Sequence, residues 1–210
     1  DSYTTDQIVT LDVVSTDVGF GVESIRFKND VDFSPSDQKI EWLKFSPKVA
    51  NSDSIEWKLS DEEGIKTVFC QFQDFAGNIT TSSLSDQIIF DQTAPIGSIS
   101  IVGDRTRQAG ITIKLVASDE LSNMKEVGEV RLRNEEEDFS DTDWKPFSDQ
   151  IEWKVPSGEG IRTVFSEFRD GAGNVSEVAS DSVEFDDLAP EVVSFNPDGT
   201  EDFVQVDTII

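Results

Sequence analysis

The 210-residue chain has no histidine and a single cysteine, Cys70. Without histidine it lacks the side chain that titrates near neutral pH, the commonest metal-binding ring, and any Ser-His-Asp arrangement. One cysteine excludes an intrachain disulfide and a thiolate metal site. Bases are scarce too: 17 Lys and Arg face 43 Asp and Glu, a net charge of −26. Such a field repels nucleic acid and anionic membranes and attracts cations and basic surfaces, so no nucleic-acid partner is expected. The acids do not form a tail, because residues 1–95 carry 17 of them and residues 96–210 the other 26. No run approaches the roughly 20 apolar residues of a bilayer-spanning helix, so this segment is not expected to insert into a membrane. What remains is 36% hydrophobic and 10% aromatic, enough for a packed core.

The strongest signal is self-similarity. Residues 53–78 (DSIEWKLSDEEGIKTVFCQFQDFAGN) match residues 149–174 (DQIEWKVPSGEGIRTVFSEFRDGAGN) at an offset of 96, with 16 of 26 positions identical. Flanking pairs extend the match: Val14–Asp17 with Val116–Asp119, Asp32-Phe33-Ser34 with Asp138-Phe139-Ser140, and Phe90–Pro95 with Phe185–Pro190. One unit is therefore about 95 residues, the length of an immunoglobulin domain and far beyond a solenoid repeat.

Inside each unit the period is two. Val9, Leu11 and Val13 alternate with their neighbours, as do Ile111, Ile113 and Leu115, and as do Ile55-Trp57-Leu59 and Ile151-Trp153-Val155. One apolar and one charged face is the pattern of half-buried antiparallel strands. Glu63-Gly64, Gly158-Glu159-Gly160, Ala76-Gly77-Asn78 and Ala172-Gly173-Asn174 supply turns between them. The expected fold is all-β: tandem immunoglobulin-like Greek-key β-sandwiches, with Trp57 and Trp153 as core anchors. The expected units are 1–94, 95–189 and the opening strands of a third over 190–210. Ile96–Val102 reads as a first strand for which the first unit has no room, since only eight residues precede Val9. The chain is thus out of phase with its repeat, as a piece of a longer array is; the alternative is that one copy's C-terminal strand completes another's open domain.

These elements resemble a bacterial and archaeal extracellular Ig-like repeat family of Big type. The resemblance rests on Asp17–Val22, Arg26-Phe27, a tryptophan, Gly64–Phe69, the Asp74-x-Ala76-Gly77-Asn78 turn and Asp91-x-Thr93-Ala94-Pro95. The second copy departs from it at Asp119-Glu120-Leu121, where the early loop has no glycine. The resemblance implies a cell-surface location and a non-catalytic role in a surface layer, stalk, filament or adhesin, with neighbouring repeats of the same or identical chains as partners. A glycan-binding module or an accessory domain of a secreted hydrolase is the alternative it leaves.

Candidate sites follow from the topology. Asp74/Asn78 and Asp170/Asn174 bracket tight turns, where such side chains bond their own backbone. They also suit calcium, which gathers six to eight oxygens. The loops of Asp119-Glu120 and Asp170-Asn174 fall at one end of the second sandwich, the linker from Asp91 enters there, and the Asp61-Glu62-Glu63 turn faces it from the first. Beside the structural reading of these turns, the candidate site is therefore a Ca2+ site of Asp91, Asp119, Glu120, Asp170, Asn174 and Glu62. Asn78-Ile79-Thr80 and Asn174-Val175-Ser176 fit the N-glycosylation acceptor pattern. Trp42 and Trp144 either cover the sandwich edge as part of the core or offer stacking faces to sugars. Cys70 reads as a buried, inert thiol, and Glu135–Asp138 as a solvated loop instead of a glycosidase pair.

Overall fold

The computed structural model describes residues 2–19, 21–45, 52–122, 124, 128–135 and 137–193. Their strands form two sandwiches in tandem. In the first, β1 (Tyr3–Thr4), β3 (Val22–Asn29), β4 (Leu43–Lys44), β6 (Gly64–Asp74) and β7 (Leu84–Phe90) make a sheet in the order β1-β7-β6-β3-β4. β2 (Ile8–Val14) and β5 (Ser52–Lys58) make the opposing sheet. Register follows the apolar alternation: Val9 lies opposite Trp57 and Leu11 opposite Ile55, so both strands turn their large side chains to one face. That face packs on Ile25, Phe27, Val68, Cys70 and Phe72.

The second sandwich repeats the plan with one more strand. β8 (Ile96–Ile101), β10 (Gly110–Ser118) and β13 (Gln150–Lys154) form a sheet ordered β13-β10-β8. β9 (Arg105–Thr106), β11 (Glu129–Asn134), β12 (Lys145–Pro146), β14 (Gly160–Arg169) and β15 (Ala179–Phe185) form the other, ordered β12-β11-β14-β15-β9. Strand for strand, β9 to β15 correspond to β1 to β7, and β8 has no counterpart among the described residues of the first unit. The core shows the difference. Ile113 is 0% exposed beneath β8, whereas Leu11, in the same place, is only half-buried. The architecture is that of tandem immunoglobulin-like Greek-key β-sandwiches.

Two features depart from simple alternation. The short strands β1 and β9 pair in parallel with β7 and β15, the last strands of their units. On β3, Ser24 and Arg26 face away from the core yet are buried, because the loop after the strand folds back over that face. Arg26 stacks between Phe33 (4.7 Å to the ring centroid) and Trp42 (4.6 Å). Trp144 lies likewise over Arg131 and Arg169 at 4.5 and 4.6 Å. Both tryptophans thus cap arginines on the polar face of the five-stranded sheets, not the apolar core.

Residues 191–193 carry no strand, and the rest of the opening strands expected over 190–210 falls on residues 194–210, outside the described residues. No helix among the described residues is long and apolar enough to cross a membrane.

Candidate metal centre at the joint between sandwiches

Asp91 follows β7 directly, and its N–H donates to Thr4 O on β1, which fixes where the linker leaves the first sandwich. The residue is 0% exposed. Its Oδ1 accepts from Thr93 N–H, closing a tight turn, and its Oδ2 accepts from the Ser122 hydroxyl at 3.3 Å. Two loops of the second sandwich meet it. Asp119 Oδ1 accepts the N–H groups of Leu121 and Ser122, so the early loop, glycine-free here, is still folded around its aspartate. In the first unit Asp17 does the same with Gly19 and Gly21. Asp170 Oδ1 accepts from Ala172, Gly173 and Asn174 N–H, and its Oδ2 from Asn174 Nδ2.

Carboxylate oxygens of Asp91, Asp119 and Asp170 all lie within 4.8 Å of one another. Oxygens sharing one Ca2+ at about 2.4 Å are at most about 4.8 Å apart, so a single ion fits the group. Glu63, Thr93, Glu120 and Leu121 line the same cavity of 180 Å³ with Asp91 and Asp119. Burial pushes the Asp91 carboxyl above its ordinary value, and the charges of Asp119 and Asp170 push it further the same way. Bonds from Thr93 N–H and the Ser122 hydroxyl act against them. Among the described residues the ion pairs all lie elsewhere, and none of them involves these three acids.

The remaining expected residues are placed as follows. Glu120 lines the cavity but is not in the three-carboxylate group. Asn174 is at the joint through its amide nitrogen, which donates to Asp170 Oδ2 and to Asp91 O, so it ties the linker to the loop. Glu62 is exposed at φ 68 and outside the group. Its neighbour Glu63 takes the place expected of it: Oε1 accepts from Gln92 N–H and Oε2 from the Thr93 hydroxyl, bracing the linker. The repeat itself carried that signal, since Glu63 matches Glu159 whereas Glu62 matches Gly158, another positive-φ position at 112°. Ser122 was likewise missed, having no counterpart that marks it in the first copy.

The glycosylation candidates separate. Asn78 is exposed and its Nδ2 donates once, to Asp74 Oδ2. Both amide protons of Asn174 are committed, so a glycan there would break the joint. Cys70 is buried, and burial raises its thiol pKa. Glu135 and Glu137 accept from the backbone of Thr163 and Asn134, acting as loop fasteners; Glu136 lies outside the described residues.

No protein-family model matches the chain, and no curated protein matches it. Similar solved structures include the fibronectin(III)-like modules of Clostridium thermocellum CbhA, 14% identical over 88% of this chain and 86% of that one, with a TM-score of 0.46. Domains FN1–FN3 of chicken CNTN1 are 11% identical over 87% of this chain and 65% of that one, TM-score 0.45. A tetra-tandem repeat from the extending region of a large adhesion protein is 21% identical over 86% of this chain and 47% of that one, TM-score 0.32.

Proposed function

We propose that the chain is a non-catalytic extracellular spacer, a run of immunoglobulin-like repeats whose joint is stiffened by Ca2+ held between Asp91, Asp119 and Asp170. The carrying observation is that a fully buried carboxylate from the linker meets two carboxylates from the next sandwich within 4.8 Å, with no ion pair to them among the described residues. Buried like charges are unfavourable unless protonated or met by a cation. A hard divalent ion would turn that repulsion into a clamp between units, and a clamped joint keeps a spacer extended. Pro95, directly after Asp91-x-x-Ala, narrows the hinge further. The high acidity suits a solvated outer surface. Recognition of glycans by Trp42 and Trp144 is less well supported, because both indoles are stacked on arginines.

Calcium titration of the full chain, followed by melting temperature and small-angle scattering, tests the reading. At 100 times the dissociation constant the ion adds about 2.7 kcal/mol, and the scattering curve tightens toward one extended form. Unchanged melting and scattering at millimolar calcium would sink it.

A further inference from the structure

The two sandwiches differ beside their core tryptophans. In the first, the Phe27 ring packs against Trp57, with centroids 5.2 Å apart and planes tilted by 45°. Its counterpart on β11 is Leu132: Phe27 lies opposite Cys70 and Leu132 opposite Ser166, the matching residues of the repeat. Trp153 is held as Trp57 is, since each indole N–H donates to the matching asparagine, Asn134 or Asn29. In the second sandwich an isobutyl group thus stands where the first has a phenyl ring.

The loop over this corner differs as well. Seven residues separate Ser34 from Trp42, but only Asp141, Thr142 and Asp143 separate Ser140 from Trp144. The second sandwich has here a cavity of 310 Å³ with Leu132 and Trp153 as its apolar floor. The exposed Asp141, Asp143 and Lys145 stand at its mouth. None of these three charged groups has a hydrogen-bond or ion-pair partner among the described residues. Glu137 is at the mouth too, with its carboxylate committed to Asn134 N–H. Three acids against one lysine leave the mouth net negative.

A void of about 150 Å³ already holds a benzene ring, and the first sandwich shows a phenyl ring resting on the equivalent indole. The occupant that suits these walls has an aromatic ring at one end and a positive charge at the other. A neutral ring would leave the carboxylates unused, a bare alkylammonium would leave the indole unused, and an anion would be repelled.

We propose that this cavity binds a small aromatic cation of the 2-phenylethylammonium type, its ring against Trp153 and its ammonium at Asp141 and Asp143. The cavity shares no residue with the joint, so neither reading depends on the other.

The test is a titration of the full chain at neutral pH with 2-phenylethylamine, 2-phenylethanol and n-butylamine, followed by the assigned indole N–H signals. Saturable shifts at Trp153 and none at Trp57 are expected at millimolar amine. The alcohol, which has no charge, and butylamine, which has no ring, bind several-fold more weakly. A chain carrying both Asp141→Asn and Asp143→Asn, at exposed positions, loses several-fold in affinity for the amine and nothing for the alcohol. Leu132→Phe, the residue of the first sandwich, abolishes binding; if its amide spectrum shows a disturbed fold, the aspartate variant decides alone. The proposal is overturned by no shift at Trp153, by equal shifts at Trp57, by either analogue binding as tightly as the amine, or by undiminished binding to the aspartate variant.

Discussion

The sharpest test of the joint is Asp91→Asn, which removes one charge and keeps the shape. Two unit charges 4.8 Å apart interact by about 3.5 kcal/mol at an effective dielectric of about 20. Asp91 faces two such partners, but N–H bonds to Asp119 and Asp170 already drain part of their charge. A net relief of about 1–2 kcal/mol is reasonable, which in a domain of this size raises the melting temperature by roughly 5–15 °C. The assay is calorimetry in chelator and in calcium at neutral pH. In chelator the variant melts higher than the wild type; in calcium the wild type gains and the variant does not. The pH dependence has a definite sign. A folded-state pKa held above the ordinary carboxylate value means stability that is full at acid pH and lost as pH rises through the folded value. In chelator the gap between variant and wild type therefore opens with rising pH and closes in acid. A variant that melts lower in chelator, with an undiminished calcium response, would refute the reasoning.

Three further substitutions probe other parts of the structure. Ser166→Ala should stabilise the second sandwich by about 1 kcal/mol by thermal or urea melting, because Ser166 Oγ is buried with no hydrogen-bond partner among the described residues. Gly97→Val should cost about 3 kcal/mol or release β8, seen as lost amide protection over Ile96–Ile101, since its Cβ would enter the Phe168 ring. Glu62→Gly should stabilise by about 0.5–1 kcal/mol with no change in calcium affinity, since the residue holds φ 68 and lies outside the carboxylate group.

Much of this architecture was written locally. The strands with strict alternation, such as Ile8–Val14 and Gln150–Lys154, could be read because one face had to be apolar. β1 and β9 could not: two residues are too few for a period, and their pairing with β7 and β15 is set by where the chain enters the fold. The burial of Arg26 was equally hidden, since it depends on a loop returning with Phe33 and Trp42. At the joint, Asp91, Asp119 and Asp170 were legible because loop topology alone puts them at one end. Glu62 misled because charge was weighed without the backbone, whose left-handed turn turns that residue into a conformational concession.

The parallel pairing of β1 with β7 also has a mechanical meaning. A pull along the chain draws the start of β1 one way and the end of β7 the other. In a parallel pair the ladder bonds, Ile89 N–H to Ser2 O and Asp91 N–H to Thr4 O, then take the load together, across their length, instead of opening one after another. The same geometry recurs where Glu184 and Asp186 N–H meet Asp104 and Thr106 O. Each of these parallel pairs thus resists sliding in shear, β1 against β7 and β9 against β15.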